Sequence, residues 1–186
     1  MFGQRSYGTI GVAEISAEAG VPKGSFYYFF PSKQSLALAV IDAHWEKQRA
    51  EWLRNLTGPG RLPERLQGLF RSTTEVQEQA VEGTGAVVGC LFGNLALEVS
   101  AQDDPVRARL QQIFDEQIDI VETAIRTAVE AGEVTLDDPR ETAKAIVAQV
   151  EGMVLFAKLF NDPGQLDALW ANSMRLLGVD AGQPVV

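Results

Sequence analysis

Apolar and polar positions alternate along this chain at intervals of three and four residues, the spacing that gathers one stripe of side chains on one face of an α-helix. In GVAEISAEA, residues 11–19, Val12, Ile15, Ser16 and Ala19 share such a stripe, and Gly20 stands where a helix ends in a left-handed residue. Val21 and Pro22 then form a turn, and proline suits the first position of a new helix because no donor is needed there. The pattern predicts a short helix over 22–29, a stop at Pro31, an N-cap at Ser32, and a long helix over 33–56 bearing Leu36, Val40, Ala43, Trp45 and Trp52. LTGPGRLP, residues 56–63, is the strongest break in the chain. Beyond it, helices are predicted over 63–82, 85–101, 105–131, 139–161 and 164–177. The last three begin with an N-cap aspartate ahead of proline, at Asp104, Asp138 and Asp162, and Glu141 and Gln165 complete capping boxes at the last two. The tail GVDAGQPVV is expected to fray. No sustained period-two alternation and no repeat interrupts the pattern, so the expected fold is all-α.

One stretch resists a simple core reading. Phe26, Tyr27, Tyr28, Phe29 and Phe30 are consecutive, and on a helix five consecutive residues spread around most of the circumference. Some must face solvent. With the helix before them and the turn at 20–22, they form a helix-turn-helix pattern, in which the second helix lies in the DNA major groove. On this reading Phe26 and either Phe29 or Phe30 anchor the helix beside Val12, Ile15 and Leu36. Lys23, Ser25, Tyr27 and Tyr28 project outward to phosphate oxygens, and Gly24 lets the backbone approach closely. Lys33, in the first turn of the next helix, suits a further phosphate. The candidate DNA-contact set is therefore Pro22, Lys23, Gly24, Ser25, Tyr27, Tyr28 and Lys33. Core packing alone would not call for Lys23-Gly24-Ser25 or Ser32-Lys33 at these spacings.

Charge refines this picture. The chain of 186 residues has a net charge of −9, which argues superficially against nucleic acid. Residues 1–40, however, carry Arg5, Lys23 and Lys33 against Glu14 and Glu18, a net of +1, while the remainder carries −10. The aromatic run thus lies in the part of the chain that is not acidic, where attraction to DNA is modest and salt-sensitive. An apolar fraction of 46% fits an ordinary globular protein. No window is apolar for long enough to cross a bilayer and no leader pattern opens the chain, so no membrane role and a cytoplasmic location are expected. The single cysteine, Cys90, excludes an internal disulfide.

The stretch GVAEISAEAGVPKGSFYYFFPSKQSL resembles the DNA-binding signature of the TetR/AcrR family of transcriptional repressors. The matching residues are Ile15, Ala19, Gly20, Val21, Lys23, Gly24, Ser25, Phe26, Tyr27, Phe30, Ser32, Lys33 and Leu36. The resemblance implies a helix-turn-helix head, here 1–40, followed by a helical effector-binding and dimerisation domain, here 41–186. It further implies a homodimer, a double-stranded palindromic operator, and a small apolar or amphipathic effector that releases it. Members usually carry a first helix that MFGQRSY would only finish, with Met1 and Phe2 at its leucine-phenylalanine positions and Ser6 in place of glycine. Most of that helix is expected to be missing. Ile10 and Gly11 also depart from the usual threonine and capping Ser or Thr. The alternative these departures leave is a helical ligand-binding or protein-interaction protein with an impaired head.

The segment GCLFGNLALEVSAQDDPVRARL, residues 89–110, resembles a branch of the same family. By order, the last two helices correspond to the family's dimer-forming pair, with Ala145, Gln149, Gly152, Met153 and Phe156 as the candidate face; an ordinary core face is the alternative. Candidates for an effector pocket are Phe70, Cys90, Leu91, Asn94, Phe114, Met153, Phe156 and Trp170, with core packing as the alternative for the aromatics and a protein partner for Asn94. The neighbours of Cys90 supply no positive charge, which favours an inert thiol over a sensor. Catalytic chemistry finds little support. GTGAVVG at 83–89 follows a helix instead of a strand, and the lone His44 leaves no histidine site. No nucleophile is paired with a base, the carboxylates are scattered, and neither a cofactor nor a metal is called for.

Overall fold

The computed structural model describes residues 7–99 and 101–179, and among them every regular element is helical. In order these are α1 (Val12–Glu18), α2 (Lys23–Phe29), α3 (Lys33–Leu56), α4 (Leu62–Thr84), α5 (Leu91–Val99), α6 (Asp104–Glu130), α7 (Pro139–Phe160), a 3₁₀ turn (Pro163–Asp167) and α8 (Ala168–Leu176). The expectations for Met1, Phe2 and Ser6, and for the tail beyond Val179, lie outside the described residues. No helix among the described residues is long and apolar enough to cross a membrane.

Local chemistry sets the boundaries. Gly20, at φ +66°, ends α1 by letting its own amide and that of Val21 turn back to the carbonyls of Ala17 (3.1 Å) and Ser16 (2.9 Å). Ser32 and Ser35 cap α3 reciprocally, each hydroxyl accepting from the other's backbone N–H at 3.0 Å. At α6 the cap is Asp103, whose carboxylate accepts from the amide of Val106 at 3.1 Å; Asp104 is already the first helical residue. Asp138 caps α7 by accepting from the amides of Arg140 and Glu141. The stretch expected as one helix over 164–177 is divided: Asp162 accepts from Gly164 and from the side chain of Gln165, and this tight turn stays 3₁₀ before α8 begins.

The helices make two compact units, Met1–Lys47 with Leu91–Ile113, and Gln48–Cys90 with Phe114–Val186. This division differs from a boundary at residue 40, because α5 and the start of α6 pack with the head. Ile10, Phe26, Ala37, Ile41, Trp45, Phe92, Leu95 and Leu110 are buried in the first unit. Trp52, Leu66, Phe70, Val121, Ile125, Ile146, Val150 and Leu169 belong to the larger core of the second.

Candidate nucleic-acid interface

α2 is only seven residues long, too short to hold its shape in water without a tertiary anchor. Phe26 supplies the anchor. It is buried, meets Phe30 one turn later at a ring distance of 6.0 Å, and is flanked edge-on by Tyr27 at 5.3 Å. Phe30 is the second inward ring; Phe29, one of two alternatives for that place, points outward and is 69% exposed. Tyr28 is 84% exposed and Tyr27 53%, so the phenolic hydroxyls stand on the open side of the helix. Lys23 and Gly24 are exposed beside them and Ser25 is half-buried. A methyl group added at Gly24 would meet only open space, so the fold itself does not require glycine there.

Lys33 has a different place from the one expected. Its ammonium donates to the carbonyls of Tyr7 (2.8 Å) and Ile10 (3.1 Å) and lies 4.5 Å above the Tyr7 ring. It ties the segment before α1 to the start of α3, and is a positioning residue first. Two carboxylates complete that tie. Glu98 on α5 accepts from the backbone amides of Tyr7 (2.9 Å) and Gly8 (2.6 Å). Asp103 accepts from the Tyr7 hydroxyl (3.4 Å) and the Gln34 amide (2.9 Å) while capping α6. Burial, and then the negative charge of Asp103, hold the Tyr7 phenol above its ordinary pKa.

A buried aromatic anchor under an exposed, hydroxyl-rich short helix after a glycine turn is the geometry of a DNA-reading helix, and the comparisons with known proteins agree. Residues 61–172 match the tetracyclin repressor-like C-terminal domain, and residues 1–40 match the N-terminal domain of the tetR family of bacterial regulatory proteins. The chain belongs to the TetR family. The transcriptional regulator AcuR of Cereibacter sphaeroides is 34% identical over 164 residues, 88% of this chain and 74% of that one. The HTH-type transcriptional repressor DhaR of a Mycobacterium species is 30% identical over 169 residues, 90% of this chain and 81% of its own. The reduced form of Escherichia coli NemR superposes with a TM-score of 0.82 at 25% identity, over 97% of this chain and 90% of that one. As a TetR-family member the chain is a transcriptional regulator with a DNA-binding head.

In this TetR-family chain the eight effector-pocket candidates are distributed over both units. Leu91 and Asn94 lie on α5 in the first unit, and the other six are in the second. Phe70 is a core residue, and Cys90, Phe114, Met153 and Trp170 pack partly buried against that core. Phe156 lies on the open side of α7, stacked on Phe160 at 6.3 Å, and is not an interior residue. A cleft of about 310 Å³ is lined instead by Leu53, Leu56, Arg65, Ile120 and Thr123 among others. The candidate α7 face also shifts: Gln149 donates to the Leu169 carbonyl (3.1 Å) and Met153 packs inward, leaving Leu155, Phe156, Leu159 and Phe160 exposed.

Glu151 escaped the sequence reading because one carboxylate among many carries no mark. Its carboxyl hydrogen-bonds with Cys90, and burial raises its pKa, with the thiol's contribution acting in the opposite direction. A carboxyl is not the positive neighbour that activates a thiol. Because the folded-state pKa is raised, the neutral carboxyl's contribution is fully present below the ordinary carboxylate range. It is lost as pH rises through the raised value. Glu151→Gln is therefore expected to raise the melting temperature at pH 8 relative to the parent, with the gain shrinking at pH 4. Thermal denaturation at the two values checks this, and an equal shift at both would contradict it.

Proposed function

We propose that the protein is a ligand-responsive repressor that binds a palindromic operator as a homodimer and is released by a small apolar or amphipathic effector. The observation that carries this reading is the two-sided α2, with Phe26 buried and Tyr27 and Tyr28 left in the open. In the bound dimer, two copies of α2 occupy successive major grooves about one helical turn apart, roughly 34–36 Å. Phosphate contacts come from Lys23, Ser25, Tyr27, Tyr28 and the exposed backbone at Pro22 and Gly24, with Lys33 holding the frame. The dimer forms through the apolar row on α7, whose four large side chains are too exposed for a face meant for water. The protein acts in the cytoplasm on DNA and on an effector, and performs no catalysis.

Two variants test the reader. Tyr27→Ala and Tyr28→Ala are each expected to weaken operator binding about 3–10-fold, the effect of one lost hydrogen bond. Both side chains are exposed, so helical content by circular dichroism should be unchanged. Fluorescence anisotropy with labelled duplex measures the affinity. Parent-like affinity in both variants would remove α2 from the role of reader.

A further inference from the structure

We infer that the cleft lined by α3, α4 and α6 takes an amphipathic anion, an apolar body ending in one carboxylate, and that Arg65 holds the carboxylate. The inference rests on the effector-binding reading above, because it names the chemistry of that effector. The cleft has a volume of about 310 Å³ and lies wholly within the second unit. Its apolar wall is formed by Leu53 and Leu56, at the end of α3, and by Ile120 and Ala124 on α6. Leu56 and Ala124 are buried and belong to the core of the unit, so this wall is fixed in place. A concave site with an apolar wall and a few polar groups suits a small organic molecule.

The polar side chains of the cleft narrow the head group. Thr57, Thr123 and Thr127 each donate the hydroxyl proton to a carbonyl one turn back, at 2.7, 2.7 and 2.9 Å, and have none left for a guest. Asp119 is already engaged by Arg140 at 2.7 Å. Arg65 is the remaining donor. Its guanidinium carries five N–H groups, and one of them, on Nη1, donates to the Leu56 carbonyl at 3.2 Å. That bond tethers the group at the end of α3 without neutralising it. Among the described residues the guanidinium has no other hydrogen bond and no ion pair. Nε is enclosed, whereas Nη2 is unpaired and accessible, so the outer edge of the guanidinium is what a guest can reach. A half-buried cation beside an apolar wall attracts an anion more strongly than the same cation in water. A carboxylate needs no proton from the site, and its single charge matches this single cation. An ammonium would instead meet Arg65 with Asp119 already taken.

Hexanoate and benzoate, each beside its neutral carboxamide, are suitable probes, with binding read on the full chain by calorimetry at low and moderate salt. In the parent, each carboxylate should bind about tenfold more tightly than its amide, and the margin should shrink as salt rises. Arg65→Gln keeps a donor for the Leu56 carbonyl and removes the charge. In it the carboxylate preference should vanish, while hexanamide and benzamide bind as in the parent. Thr123→Phe, at an exposed position of the cleft, fills the space and should weaken carboxylate and amide alike with Arg65 untouched. Equal affinity for carboxylate and amide in the parent, no binding by either carboxylate, or a preference that survives Arg65→Gln would overturn the assignment. So would parent-like binding in Thr123→Phe. Operator release by hexanoate or benzoate is measured separately, on the parent and on Arg65→Gln. Arg65-dependent binding without release would keep the carboxylate site and remove it from the release mechanism. Release that persists in Arg65→Gln would keep the ligand-responsive repressor and overturn this cleft as its effector site.

Discussion

Phe26→Ala is expected to abolish specific operator binding while leaving the second unit folded. Phe26 is buried, and among the described residues its two ring contacts are to residues of the same short segment. Truncating a buried phenylalanine costs about 3–5 kcal/mol, a large share of the total stability of an ordinary domain. α2 has little else to hold it: seven residues, no side-chain cap at Pro22, and three exposed aromatics on the other side. The loss should fall on the first unit, seen as lost anisotropy with operator DNA and a new low-temperature step in the melt. Phe26→Leu, which keeps most of the volume, should retain measurable binding. Full affinity in the alanine variant would mean that α2 is not positioned by this ring.

The second large effect concerns the α7 row. Leu159→Asp, made alone or together with Phe156→Asp, is expected to convert the protein to monomer at micromolar concentration and to weaken operator binding at least about a hundredfold. Leu159 is 70% exposed in the single chain and Phe156 is 47% exposed, so the substitutions remove little from the core of a protomer. In a symmetric dimer each substitution buries two new carboxylates, opposite apolar side chains or each other, at several kcal/mol per site. The melting temperature of the monomeric unit should stay within a few degrees of the parent when compared at low concentration. Sedimentation reads the assembly state. A variant that remains dimeric would place the dimer face elsewhere.

The contrast between these two sites shows what the sequence could disclose. The helices were legible where periodicity and local caps agreed: α3 begins at Lys33 and ends at Leu56, where Ser32 and the LTGPG break put it. They were misread where a distant partner intervened. The stretch 85–90 was expected to be helical, but Gly89 takes φ +79°, its amide is held by Gln77, and Val87 is held by Asn161. The helix therefore starts at Leu91. On the head, Phe26 and the outward tyrosines followed from counting around a helix, whereas Phe29 and Phe30 are neighbours that periodicity alone does not separate. Lys33 was assigned to phosphate because its partners, the carbonyls of Tyr7 and Ile10, are backbone groups that carry no sequence signature. Glu98 and Asp103 were missed because they join Tyr7 across more than 90 positions.

The most direct test of the central claim is in vitro selection of the intact protein against a random duplex library, because the library contains every candidate half-site and spacing. The expected product is an enriched palindrome whose half-sites are about one helical turn apart, bound by two protomers and weakened by rising salt. An unenriched pool, or a single asymmetric site bound by one protomer, would contradict a dimeric DNA-reading repressor.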